Sequence, residues 1–324
     1  MSAPAASTPP QRRLGARRIL TYVVGLLLLI AAIVAVVSRA DALGHAARSA
    51  QSASPWLIAA AILLPLANIV VISASFWVLT TRFGRVGGVE MGSLITSSWL
   101  LNHLPLRPGL VGRVGYHKAV NGILVAKSVR VVAEQFACGM AALASVVLVS
   151  VATPMNLRLL LVVLFALGTA FAVAGCIGRS ILLNAASPIT LPSYAAAFGF
   201  RILDMTLWIA RYWVLFALVG VRLDTRQAAA VTVASQGAML SPVPLGLREW
   251  AVGAAHALYG AGSIPSSGSD AVDAMAPGVA ADLVNRGAEL LVCVPLGLWA
   301  TLWLVRRLRR ALAASPHPAA APSV

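Results

Sequence analysis

Ser241-Pro242-Val243-Pro244-Leu245-Gly246-Leu247-Arg248-Glu249-Trp250 is the stretch that decides how this chain is read. It follows the apolar run Ala228–Leu240. Pro242 and Pro244 lack a backbone N–H and clash with the preceding turn, so a continuous helix cannot pass through them. Arg248 and Glu249 come immediately behind. In a bilayer, irregular backbone survives only where protein or water surrounds it. Charges at that depth mark functional positions. The stretch therefore predicts a helix break at membrane depth, carrying charge, with the rest of the chain as its scaffold.

Composition supplies the membrane. Of 324 residues, 59% are hydrophobic and 11% charged, against about 25% charged in a soluble domain. The formal net charge of +15 would suggest nucleic acid in a soluble protein. Here the basic residues cluster beside apolar runs, which points instead to membrane orientation and anionic headgroups, with no nucleic-acid partner. Arg12, Arg13, Arg17 and Arg18 precede the run Ile19–Val37, and Arg306, Arg307, Arg309 and Arg310 follow the last one. These clusters predict a multi-pass protein of the cell membrane with both termini cytoplasmic.

About 20 residues cross a bilayer core. Ile19–Val37, Trp56–Thr80, Val129–Ala152, Leu159–Ile177, Pro192 to about Val219, and Val279–Val305 meet that length, giving about six full transmembrane helices. Met91–Leu104 and Ala228–Leu240 are too short and read as re-entrant segments. The first runs into a break with Pro105, Arg107, Pro108, Gly109 and Arg113, the second into Pro242, Pro244, Gly246 and Arg248. Each broken hairpin is followed by a span opening with charges at helical spacing, Arg130 and Glu134 in one, Asp282, Arg286 and Glu289 in the other. The unit span, span, hairpin, span thus occurs twice. An odd number of crossings per unit inserts the second copy upside down, as in many secondary transporters. The fold class expected is an all-α polytopic bundle with two Pro/Gly-broken re-entrant hairpins in an inverted repeat. Residues 1–18 form a basic tail, 19–305 one membrane domain with halves 19–153 and 157–305, and 306–324 a basic and then disordered tail. Gly260–Pro277, rich in Gly and Ser, reads as an outer loop.

Leu245-Gly246-Leu247-Arg248-Glu249 after Pro244, with Leu283, Arg286, Glu289 and Pro295-Leu296-Gly297 downstream, resembles the flippase-like transmembrane region of the lysylphosphatidylglycerol synthase family. Asn102-His103-Leu104-Pro105-Leu106-Arg107-Pro108-Gly109 with Arg113 is similar to the corresponding first-half motif. The resemblance covers roughly Ile19–Leu304. It departs at Leu110, where the family pattern has an acidic residue, and at Gln135 and Cys138, where it has further charge. No soluble segment reaches the 50 or more residues a domain typically needs, so the aminoacyl-transferase part of the synthases has no counterpart here. The resemblance implies lipid translocation rather than lipid aminoacylation.

Arginine suits a headgroup phosphate because its planar fork binds two oxygens and keeps its charge when partly buried. The candidate headgroup-binding residues are Arg107, Arg113, Arg248, Glu249, Arg130, Glu134, Arg286, Glu289, Arg201 and Asp204. Each also has a plainer reading: Arg107 and Arg113 would be cytoplasmic headgroup anchors. Arg130–Glu134 and Arg286–Glu289 would be intrahelical pairs, Arg248–Glu249 a local tie. Asp204 and Arg211 would be an interior pair two turns apart, with Arg211 snorkelling outward. His103, His117 and His256 lack metal-ligand spacing, and Cys138, Cys176 and Cys293 lack CxxC spacing, so no metal or cofactor is expected. No catalytic motif is present. The alternative to translocation is a membrane-embedded component or partner of a separate lipid-modifying or glycosyl-transferring enzyme. An enzyme would group its polar residues at one membrane face, and a transporter would spread them through the depth.

Overall fold

The computed structural model describes residues 54–103, 108–152, 156–182, 191–239, 246–260 and 268–314. Among them every regular element is an α-helix. We number these α1 (Pro55–Thr80), α2 (Gly88–Asn102), α3 (Pro108–Val120), α4 (Val125–Ala152), α5 (Leu157–Leu182), α6 (Leu191–Leu218), α7 (Thr225–Ala238), α8 (Leu247–Gly260) and α9 (Gly268–Ala314). Four of them, α1, α4, Leu157–Ile181 of α5 and Asp273–Ala311 of α9, are long and apolar enough to cross a membrane. The expected first span, Arg107, Pro105, Pro242 and Pro244 lie outside the described residues.

The pattern on α4 shows which solvent the bundle was built for. Ser128, Val131, Gln135, Gly139, Ala142, Val146 and Ser150 are its buried residues, spaced by three or four. They form a single stripe that includes three polar side chains. Val129, Phe136, Met140, Val147, Leu148 and Val151 point outward and are exposed. A helix facing water has the reverse arrangement, apolar inside and polar outside. An apolar exterior around a partly polar interior is the arrangement that hydrocarbon favours.

α6 is the exception and occupies the centre. It packs on α1, α4, α5, α7 and α9 and buries residues around nearly its whole circumference. A helix so enclosed need not be apolar to suit lipid, which is why it carries Arg201, Asp204 and Arg211. Its seam with α5 is set by small residues. A side chain on Gly199 would strike the Ala172 backbone, and one on Gly175 would strike Ala196. Such residues let membrane helices approach closely.

The two short helix pairs α2–α3 and α7–α8 start for local reasons. Asp224 accepts from Gln227 N at 2.8 Å while Gln227 Oε1 accepts from Asp224 N at 3.0 Å, a reciprocal cap on α7. Gly246, just before α8, sits at φ +82°, a conformation glycine alone adopts without strain.

Most of the packing follows an exchange of halves, α3–α9 being a pair without an equal counterpart in α8–α4. α1–α2, α2–α3, α3–α4 and α1–α4 match α6–α7, α7–α8, α8–α9 and α6–α9. Across the halves, α1–α9 matches α6–α4, α2–α9 matches α7–α4, and α1–α6 is its own counterpart. Two surface clefts follow the same rule. One of about 280 Å³ lies between α2, α3 and α9, and one of about 430 Å³ between α7, α8 and α4.

The outer loop expected over Gly260–Pro277 is corrected in part, because α9 already begins at Gly268 and runs through Pro277. Tertiary packing overrides the Gly/Pro composition: a side chain on Gly278 would lie 2.8 Å from Gly253 Cα of α8. The same seam reaches into the segment, since a side chain on Gly253 would lie 3.0 Å from Met275 O.

Candidate functional site

The polar groups of the interior are strung along one side of α6. Tyr194, Arg201, Asp204 and Arg211 are spaced by seven, three and seven residues, which keeps them within about one third of the helix circumference. From Tyr194 to Arg211 is seventeen residues, or about 25 Å at 1.5 Å per residue. A bilayer core is about 30 Å thick.

At one end, Glu134 of α4 gathers three donors. Arg130 Nε lies at 2.8 Å, Tyr194 Oη at 2.6 Å, and Arg82 makes a close ion pair with it. Arg130–Glu134 is therefore an intrahelical pair as its spacing predicts, extended by two partners from other elements.

In the middle, Arg201 Nη1 pairs with Asp204 Oδ2. Gly139 of α4 makes room for this arginine, since a Cβ there would lie 2.6 Å from Arg201 Nη2. Asn68 of α1, fully buried, donates to Asp204 Oδ1 at 2.8 Å. Its carbonyl accepts from Arg211 Nη1 at 3.1 Å. Asp204 and Arg211 are thus joined through Asn68 rather than as a direct pair.

At the far end Arg211 also donates to Glu289 at 2.7 Å and to Asn285 of α9. Arg248 of α8 donates to Asp282 Oδ2 at 2.9 Å and lies 3.3 Å from Glu289 Oε2. Tyr212 Oη donates to Asp282 Oδ1 at 2.8 Å and sits 2.6 Å from Ser235 Oγ of α7. Five helices meet in this network. Three arginines (201, 211, 248) face three carboxylates (204, 282, 289), so it is formally neutral. Neutrality is what makes it tolerable, since a lone buried ion costs several kcal/mol.

Two pairings differ from the sequence expectation. Arg286 reaches across to Glu249 of α8, while both oxygens of Glu289 are taken by Arg211 and Arg248. The expected Arg286–Glu289 and Arg248–Glu249 pairs give way to inter-helix pairs because α8 and α9 pack side by side. Arg211 does not snorkel outward. It is 1% exposed, its guanidinium 4.1 Å over the Trp208 ring.

Arg113 stands apart. Arg113, Arg211 and Arg248 are the buried arginines among the described residues. Of these, Arg113 alone has no carboxylate within ion-pair distance there. Its guanidinium lies 3.9 Å over the Phe76 ring of α1.

Sequence reasoning missed Asn68, Tyr212, Ser235 and Asn285. Asn285 was legible: Asp282, Asn285 and Glu289 repeat at three and four on one face. Asn68 showed as the lone amide of a 26-residue apolar helix. Among the described residues no group of three His, Cys, Asp or Glu is placed to hold a metal ion. No protein-family model, curated protein or solved structure matches the chain.

Proposed function

We propose that the protein is an integral membrane lipid translocase, moving a phospholipid or lipid-linked headgroup between leaflets of the cell membrane. The observation that carries this reading is the polar track along α6, about 25 Å from Tyr194 to Arg211, inside a bundle whose exterior is apolar. An enzyme acting at one face has no use for charge spread through the depth; a headgroup crossing the core does.

The two halves, exchanged in their contacts, are taken as an inverted repeat with six crossings and both termini cytoplasmic. α2–α3 then dips in from the cytoplasm and α7–α8 from outside. Each cleft opens beside one of these pairs, so a lipid could keep its chains in hydrocarbon while its headgroup moves along the interior. Arg248, neutralised by Asp282 and Glu289, serves this route as part of a separable lock rather than as a standing anion site.

The test is a leaflet-sidedness assay. Purified protein is reconstituted with a headgroup-labelled phospholipid, and an impermeant reductant bleaches the outer leaflet. Translocation exposes the inner-leaflet label as well. Bleaching no faster or deeper than in protein-free vesicles contradicts the reading.

A further inference from the structure

Arg113 lies where a positive charge should not be stable by itself. It is 8% exposed, on the helix α3 that the sequence places within the membrane. Every partner visible around it is neutral or aromatic. It faces a small hollow of about 10 Å³ between α1, α3 and α4, lined with Phe76, His117 and Ser128 among others. The Ser128 hydroxyl is buried and has no hydrogen-bond partner among the described residues. Ser128 is the fourth residue of α4 and its own N–H is taken by Leu124 O at 3.0 Å, so the hydroxyl is the polar group it offers to the hollow. A guanidinium and an idle hydroxyl thus converge on a space with room for about one oxygen atom.

Arg113 is also the residue common to this hollow and to the 280 Å³ cleft between α2, α3 and α9. The cleft is otherwise mostly apolar, with Leu94, Leu101, Leu304 and Val305 on its walls. We propose that Arg113 and Ser128 bind a phosphate group whose acyl-bearing remainder lies in the cleft, one phosphate oxygen entering the hollow. This deepens the translocase reading by naming the headgroup chemistry recognised, and it rests on that reading only for the source of the phosphate.

The experiment is thermal unfolding of the full-length protein in a phosphate-free maltoside detergent. The additives are dihexanoylphosphatidylglycerol, dihexanoylglycerol, inorganic phosphate or chloride. Dihexanoylphosphatidylglycerol is expected to raise the unfolding midpoint and dihexanoylglycerol is not. A matching rise with inorganic phosphate assigns the site to phosphate from solution, and its absence assigns it to lipid. Arg113→Gln should abolish the rise, yet leave the additive-free protein at least as stable as wild type, because it removes an uncompensated buried charge. A purely structural arginine would give the opposite sign. Ser128→Ala should fold normally and weaken phosphate binding about tenfold, the order expected for a hydrogen bond to a charged group; it carries the test if Arg113→Gln does not fold. An unchanged rise in Ser128→Ala or Arg113→Gln, no rise with either phosphate compound, or an equal rise with chloride overturns the proposal. Phosphate binding without lipid movement would keep this site and remove the translocase reading.

Discussion

Glu289 of α9 holds Arg248 of α8 at 3.3 Å with one carboxylate oxygen while its other oxygen binds Arg211 of α6 at 2.7 Å. One carboxylate therefore fastens three helices. Glu289→Gln would leave two buried arginines facing Asp282 alone. Unpairing a buried charge costs about 3–5 kcal/mol, and a matching loss of stability is expected in detergent unfolding. Combining Glu289→Gln with Arg211→Gln should recover part of it, because charge balance returns. A double mutant no more stable than the single would show that the network does not act as a unit.

Asn68 links the middle of the track to its far end. Asn68→Ala strips a donor from Asp204 and an acceptor from Arg211, both buried. The expected destabilisation is about 1–3 kcal/mol, measured by the shift in unfolding midpoint. An effect indistinguishable from a surface Asn→Ala would mean the bridge is energetically idle.

Glycine substitutions separate packing from function. A side chain on Gly199 meets the Ala172 backbone, so Gly199→Ala should force α5 and α6 apart at a cost of about 1–3 kcal/mol. At Gly139 the obstructing atoms are the mobile tip of Arg201. Gly139→Ala should shift the Arg201 tip along Asp204 without breaking their ion pair, and so cost little stability. The expected result is slowed lipid movement in vesicles with a near-normal unfolding midpoint.

Backbone conformation gives a contrast in sign. Gly246 at φ +82° should lose about 1–2 kcal/mol as alanine. Gly287, within α9 and with open space around it, should gain about 0.5–1 kcal/mol as alanine. Parallel unfolding curves of the two variants check both.

Helix-forming segments were largely legible in the sequence because apolar run length and Pro/Gly punctuation are local signals. Gly88–Asn102 and Thr225–Ala238 lie close to the short segments Met91–Leu104 and Ala228–Leu240 read from the sequence. The extension of α9 back to Gly268 was not legible, since it accompanies close packing of α9 on α8, where Gly278 meets Gly253, 25 residues away in the chain. The site divides the same way. Arg248, Glu289, Asp204 and Glu134 announced themselves as charges in apolar surroundings. Apart from Arg130–Glu134, their pairings did not, because spacing along one helix favours intrahelical pairs, whereas the pairs Arg248–Asp282 and Arg286–Glu249 are set by how α8 lies against α9. The neutrality of the Arg248 network, and the contrasting isolation of Arg113, emerge only once helices from both halves are brought together.

The most direct test of the account is the sidedness of the two helix pairs. Cys138, Cys176 and Cys293 are free thiols and would first be replaced with alanine. Single cysteines are then placed at Lys118, near the end of α3, and at Arg226, near the start of α7, both exposed positions. An impermeant maleimide is applied to intact cells and to inverted vesicles. The account predicts labelling of Lys118→Cys only from the cytoplasmic side and of Arg226→Cys only from outside. Labelling of both from the same side would contradict it.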